Sequence, residues 1–285
     1  MSQSLTEKYR PASLDAVRGQ PKIVRALRAF VKDPVSQSFL FYSAEPGTGK
    51  SSTAEALAGE LGIEVGNPFG GFHKVDSGKL DAAAVDEVIS KCHQTPWTKS
   101  RWHLVLFDEA ETMTGKAADK LLSAMDKMPP HAVFVLTTNH RDQLSAPLRD
   151  RCESFTFDAD IKALREDAGK LVSQVWEAEL GHNHAPTLAE IGIKYEYGAL
   201  SFRNVLKKLE PILRMEKAGE QWREEPAEVQ EKIRIVAPPA AVKARYEVGD
   251  TTILGKIVEC NKMSGNLYYR IGTKWYNSFQ LQEAA

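Results

Sequence analysis

Apolar residues along the first 158 positions follow two alternating rhythms. Short continuous runs at Phe39–Tyr42, Trp102–Phe107 and Ala132–Thr137 have the length and composition of strands buried on both faces. Between them lie stretches with helical spacing: Lys22–Val31, Ser51–Leu61, Ala82–Cys92, in which Val85, Val88 and Ile89 share a face, and Lys116–Met128. Phe72–Val75 reads as a further short strand. Strands alternating with helices predict an α/β domain built on a parallel sheet over residues 1–158.

Beyond that point the pattern turns wholly helical, with segments at Ile161–Leu180, Thr187–Tyr195 and Phe202–Lys217. These predict a small α-domain over residues 159–219. Residues 220–245 are rich in charge, proline and alanine, and Pro238-Pro239-Ala240-Ala241 reads as a linker. From residue 246 to 285 the chain changes to β-formers: Thr251–Leu254, Lys256–Glu259, Leu267–Ile271 and Lys274–Tyr276. Breaks at Gly249-Asp250, Ser264-Gly265-Asn266 and Gly272 suggest a small SH3-like barrel. No internal repeat or low-complexity tract interrupts this order.

Composition narrows the setting. The 285 residues are 42% hydrophobic and 26% charged with a net charge of −1, as in an ordinary intracellular globular protein of one large or two to three small domains. Near-neutrality removes global basicity as an argument for nucleic-acid binding, yet 37 Lys and Arg can still gather on one face. Cys92, Cys152 and Cys260 are odd in number and far apart, without the paired spacing of a zinc site or disulfide framework. No apolar run approaches a membrane span, and Met1-Ser2-Gln3-Ser4 lacks a signal-peptide core. The expectation is a cytoplasmic protein with no membrane partner.

The sharpest chemical signal follows the first strand. Ala44-Glu45-Pro46-Gly47-Thr48-Gly49-Lys50-Ser51-Ser52 leads from an apolar strand into a helix, with Ala44 where the P-loop pattern expects glycine. Gly47 and Gly49 let the backbone turn N–H groups onto an anion. Lys50 can reach outer phosphates, and the Ser51 hydroxyl can meet magnesium. A nucleoside triphosphate is the expected ligand. The strand Leu104–Phe107 ends in Asp108-Glu109, the first acid 58 positions after Lys50. At such a strand end one acid suits a metal ion and the next can polarise a water. The next strand ends in Thr138-Asn139, where an amide could orient that water, although an Asn at a strand end is more often a turn residue. Arg151 lies twelve positions further on. A guanidinium suits phosphoryl oxygens in a transition state, but most surface arginines have no such task. Arg203, near the start of the last helix, is either a phosphate contact or an exposed helix charge.

Taken in order, these pieces resemble the AAA+ ATPases, and among them the small ATPase subunits of sliding-clamp loaders of the replication factor C and phage types. Thr6-Glu7-Lys8-Tyr9-Arg10-Pro11 is similar to the family's N-terminal signature, and Val17-Arg18-Gly19-Gln20 to the adenine-side segment that follows. Phe107-Asp108-Glu109-Ala110-Glu111 approximates the family's Asp-Glu-Ala-Asp box, with Glu111 in the last place. Asn139 matches sensor 1 and Phe202-Arg203 matches sensor 2. Arg151-Cys152 matches the arginine-finger motif Ser-Arg-Cys, with Asp150 where Ser is usual.

The resemblance runs over roughly residues 5–217. It implies an AAA+ P-loop sheet with a helical lid, and ATP and Mg2+ as cofactors. Glu7, Lys8, Tyr9, Val17, Arg18, Gly47, Thr48, Gly49, Lys50, Ser51, Ser52 and Arg203 would hold the nucleotide. Ser51 and Asp108 would face magnesium, Glu109 would activate water, Asn139 would position it, and Arg151 would act on a neighbouring subunit's ATP. The implied partners are other loader subunits, a sliding clamp and primer-template DNA.

The family continues into a helical collar, whereas this chain turns to a linker and a β-rich tail. There Lys256, Lys262, Arg270 and Lys274 interleave with Tyr268, Tyr269, Trp275 and Tyr276. These aromatics could stack on nucleic acid, but the commoner role for most of them is the core of a tiny barrel. Three readings stay open: a clamp-loader ATPase, a non-loader AAA+ remodelling or recombination motor, and a structural adaptor with weak hydrolysis.

Overall fold

The computed structural model describes residues 3–76, 78, 80–182, 184–193, 198–220 and 222, and the backbone alone of 251–252, 255–263, 266–271 and 274–277. The chain divides into two compact units, Met1–Arg223 and Glu224–Ala285.

In the first unit five parallel strands, β1 (Gln37–Tyr42), β2 (Phe72–Val75), β3 (His103–Phe107), β4 (Ala132–Thr138) and β5 (Glu153–Thr156), lie in the order β2-β3-β4-β1-β5. Every residue of β3 and β4 is buried, as continuous apolar runs require when helices cover both faces. Alternate side chains divide between those faces. Leu40, Val105, Phe107, Phe134 and Leu136 join one core with α4 (Ala82–Cys92) and α5 (Gly115–Asp126). Phe39, Phe41, Leu104, Leu106, Val133 and Val135 join another with α2 (Pro21–Lys32) and α3 (Lys50–Glu60). Helix starts carry local caps. Asp81 accepts the Ala84 N–H at 2.8 Å, and Pro21 opens α2 where a missing N–H costs nothing.

Strand β5 has no counterpart in the sequence pattern. It is a short edge strand of four residues in which only Phe155 is more than superficially covered, so its apolar signal is one residue long. The short α6 (Ala146–Asp150) precedes it.

A third core belongs to the helices α7 (Ile161–Leu180) and α8 (Phe202–Lys217), joined by Leu5 of the one-turn helix α1 (Leu5–Lys8). Asp160 and Ser201 cap these two long helices, and Gly181, at φ 77°, ends α7 in a left-handed turn. The helix expected over Thr187–Tyr195 is corrected to a single turn. The Ile191 N–H reaches Thr187 O, the Ile193 N–H reaches Leu188 O, and Gly192 at φ 80° turns the chain out of the helix; Tyr195 lies outside the described residues. Leu188, Ile191 and Ile193 are still buried, which is the source of the apolar spacing. No described helix is long and apolar enough to cross a membrane.

In the second unit the described backbone forms an antiparallel meander of β6 (Thr251–Thr252), β7 (Gly255–Met263), β8 (Asn266–Ile271) and β9 (Lys274–Asn277). A register shift in β7 between Ile257 and Glu259 marks a bulge. The expected linker, the remaining residues on which an SH3-like closure would rest, and the side chains of the aromatic and basic tail lie outside the described residues.

Candidate active site

Strands β1, β3 and β4 end on the same edge of the sheet because they are parallel, and a cavity of about 310 Å³ opens there beneath the start of α8. Such a volume suits a small-molecule ligand.

The floor is the loop from Ser43 to Gly49. Gly47 at φ 77° and Gly49 at φ 101° take the left-handed conformation that lets the loop wrap and then enter α3. Gly47 is doubly constrained, since a Cβ there would lie 2.2 Å from Ser201 Oγ and 3.0 Å from Arg203 Cβ. Among the described residues no side chain caps α3, so its first backbone N–H groups are left for the cavity edge as an anion site. Thr48 Oγ1 is buried without a hydrogen-bond partner among the described residues.

Lys50 is buried, only 7% exposed, and donates to Asn139 Oδ1 at 2.7 Å and to Glu45 O at 3.2 Å. Burial pulls its pKa down to about 8, helped by the Arg203 charge and opposed by Glu111, Asp108 and Glu109. The site therefore holds a cation with too little counter-charge, as expected of a receptor for an anion.

Asp108, at the end of β3, gathers donors. Ser51 Oγ donates to its Oδ1 at 2.7 Å and Thr137 Oγ1 at 2.6 Å, while Lys74 Nζ lies 3.2 Å from Oδ2. Burial alone would raise its pKa, but these hydrogen bonds and the Lys74 charge outweigh it and hold the carboxyl below its ordinary value. Glu109 takes φ 54°, a left-handed backbone uncommon outside glycine, and its N–H donates to Thr137 Oγ1 at 3.1 Å. The strain directs the chain sharply away after β3 at the cavity wall. Asn139 donates its N–H to Glu111 Oε1 at 3.2 Å, and Glu111 Oε2 is buried without a partner among the described residues.

Of the residues singled out in the sequence, Glu7, Tyr9, Val17, Arg18, Gly47, Thr48, Gly49, Lys50, Ser51, Ser52, Asp108, Glu109, Asn139 and Arg203 all line this one cavity. Lys8 does not. Its ammonium turns away to Glu179 Oε1 at 2.6 Å, on a carboxylate that also accepts from Tyr9 and Lys217. Arg151 is also elsewhere, on the surface, where its guanidinium donates to Asp126 at 2.7 and 3.2 Å. Lys74, Thr137, Leu171 and Leu206 line the cavity without having been singled out. Thr137 sits two positions before Asn139 on a strand end and so carried a signal. Lys74 carried none, since its approach to Asp108 depends on the register that pairs Val75 with Phe107.

Residues 40–158 match the model of the family "ATPase family associated with various cellular activities (AAA)". The chain is 33% identical over 165 residues to the replication factor C small subunit of Thermofilum pendens, covering 55% of this chain and 48% of that one. It is 33% identical over 153 residues to replication factor C subunit 3 of Saccharomyces cerevisiae, covering 53% and 44%. The chain thus spans about half the length of these relatives. Among solved structures, the RuvB Holliday junction branch migration motor of Thermotoga maritima superposes with a TM-score of 0.54 at 18% identity, covering 76% of this chain and 69% of that one, a likeness of fold alone.

Proposed function

We propose, from the premise that this chain carries an AAA ATPase domain related to the replication factor C small subunits, that it is an ATP-hydrolysing subunit of an assembly that loads a sliding clamp onto primer-template DNA. The observation that carries this reading is the convergence of Lys50, Ser51, Asp108, Glu109, Asn139 and Arg203 on one cavity while Arg151 stays outside it.

The residues fit MgATP on their own chemistry. Among the described residues the loop offers a helix start with no side-chain cap, a buried under-compensated ammonium and a Thr48 hydroxyl without a partner, all suited to phosphate oxygens. Ser51 and Asp108 supply paired oxygen donors of the kind a hard cation takes, and magnesium there would neutralise phosphate charge. Tyr9, Val17, Leu171, Phe202 and Leu206 give the cavity an apolar end for a base.

In this arrangement Lys50 and Arg203 hold the phosphates, Glu109 accepts a proton from the attacking water, and Asn139 orients that water. The Lys50–Asn139 hydrogen bond ties the phosphate cation to the water-orienting amide, so release of Lys50 to a phosphate frees Asn139 Oδ1 for water. Arg151 belongs to the next subunit's site in the assembly. The domain limits read from the sequence, the cytoplasmic setting and the absence of a membrane partner are part of the same proposal.

A non-loader motor on the same core is the second reading, and the branch-migration fold match is compatible with it. Steady-state hydrolysis measured with primed DNA, with a cognate clamp, and with both separates the two. Joint stimulation supports the loader. Stimulation by DNA alone, indifferent to any clamp, overturns it in favour of the motor.

A further inference from the structure

Away from the cavity, three potential metal ligands from three different elements meet near the β2 edge of the sheet. His73 on β2, His103 on β3 and Cys92 at the end of α4 bring one ligand atom each within 4.8 Å of one another. Cys92 and His103 are buried and His73 is half-buried. Nothing in the proposed nucleotide chemistry uses them.

We propose that His73, Cys92 and His103 form a binding site for a borderline-soft divalent cation, zinc by its donor set. Two imidazole nitrogens and a thiolate are the ligands zinc prefers over magnesium or calcium, which take oxygen. The spacing fits. His73 Nε2 lies 3.1 Å from His103 Nδ1. With zinc–nitrogen bonds of about 2.0–2.1 Å, that separation corresponds to an angle at the metal of roughly 100°, close to tetrahedral. The sulfur, within 4.8 Å of both nitrogens, needs to approach by no more than about 1.2 Å to complete three corners of a tetrahedron.

The outer hydrogen bond points the same way. His103 Nε2 lies 2.7 Å from the Gln94 carbonyl oxygen, which can only accept, so Nε2 carries the proton and Nδ1 presents a lone pair toward His73. A ring nitrogen anchored to a carbonyl while the other faces the metal is the usual support of a metal-bound histidine. In the free protein His73 Nε2–H donates into that lone pair. On binding, His73 gives up its Nε2 proton and takes one up at Nδ1, the metal sits about 1.3 Å to the side of the line joining the two nitrogens, and Cys92 loses its thiol proton to solvent, so two neutral imidazoles and one thiolate face the ion.

The three ligands leave a fourth coordination position for water. The position would tie the edge strand β2, which carries Lys74 beside Asp108, to β3 and α4.

The test uses tag-free full-length protein stripped with a chelator and titrated with Zn2+ against a chromogenic competitor, then with Co2+ read by absorption. The expected result is one ion per chain and, with cobalt, tetrahedral visible bands plus a sulfur-to-cobalt charge-transfer band. Cys92→Ala should remove the charge-transfer band. Cys92→Ala and His73→Gln should each weaken zinc by more than about 100-fold, beyond the roughly 10–100-fold typical of an outer-shell change. Far-UV circular dichroism checks that both fold, and the half-exposed His73 position keeps the test open should Cys92→Ala fail to fold. Absence of stoichiometric zinc, or the same affinity and cobalt spectrum in wild type and in a folded variant, would overturn the proposal.

Discussion

Replacing Lys50 by Met is expected to stabilise the ligand-free protein while removing its response to nucleotide. The Lys50 pKa falls from the ordinary 10.5 to about 8, chiefly through burial. At neutral pH the side chain is nevertheless mostly charged, so folding bears the cost of holding a poorly solvated ammonium. A depression of that size at about 1.4 kcal/mol per unit is about 3 kcal/mol. Met keeps most of the aliphatic stem without the charge. Losing the two hydrogen bonds, to Asn139 and to Glu45, returns about 1 kcal/mol each, leaving a net gain of about 1 kcal/mol.

The pH dependence isolates the cause. Because the folded pKa is the lower one, the unfolded chain binds more protons between about 8 and 10.5, and wild-type stability gains from Lys50 as pH rises through that window. The penalty is complete below it and gone above it. Urea unfolding of both proteins should therefore show the variant ahead at about pH 7, with the gap closing toward about pH 10. A less stable variant at neutral pH, or a gap that does not change with pH, refutes the reasoning. Wild-type affinity for a non-hydrolysable MgATP analogue should also fall above the same pKa, by up to about tenfold per pH unit, because only the charged ammonium meets a phosphate.

Glu109→Gln should retain nucleotide binding and lose about 10²–10⁴-fold in hydrolysis, since the amide cannot take a proton from water; wild-type turnover would remove the role. Arg151→Ala should lower turnover only in the assembled state. Mixing it with Lys50→Ala subunits should restore part of the activity at interfaces that pair an intact loop with an intact finger. If confirmed mixed assemblies show no recovery, Arg151 does not act in trans. Gly47→Ala should weaken nucleotide binding, because the added Cβ at φ 77° collides with Ser201 Oγ; unchanged affinity by titration calorimetry would show that the loop and the start of α8 separate freely. Truncation after Arg223 should leave nucleotide affinity unchanged, since all cavity-lining residues precede that point. Lost binding would make the second unit part of the site.

The parts of this fold that were legible in the sequence are those whose signal is local. Strands β3 and β4 are apolar throughout because both sheet faces are covered, and Gly47 and Gly49 are needed by one loop's own backbone. Parallel strands then deliver their terminal residues to one edge, so Lys50, Asp108 and Asn139 could be grouped from order along the chain alone. What escaped depends on registry or on competition. Lys74 reaches Asp108 only through the pairing of β2 with β3, which no local pattern encodes. Lys8 is absent from the cavity lining, and its ammonium pairs instead with Glu179, 171 positions away. The Thr187–Tyr195 spacing was helical because Leu188, Ile191 and Ile193 all face one core, yet one turn satisfies that burial and Gly192 ends it. Cys92 is the extreme case. Its spacing along the chain gives no metal pattern, and only the meeting of α4 with two adjacent strands brings its sulfur near two imidazoles. Sequence therefore speaks most clearly where one loop or one strand end carries the chemistry, and least where a group is assembled from three elements whose relative depth is set by packing.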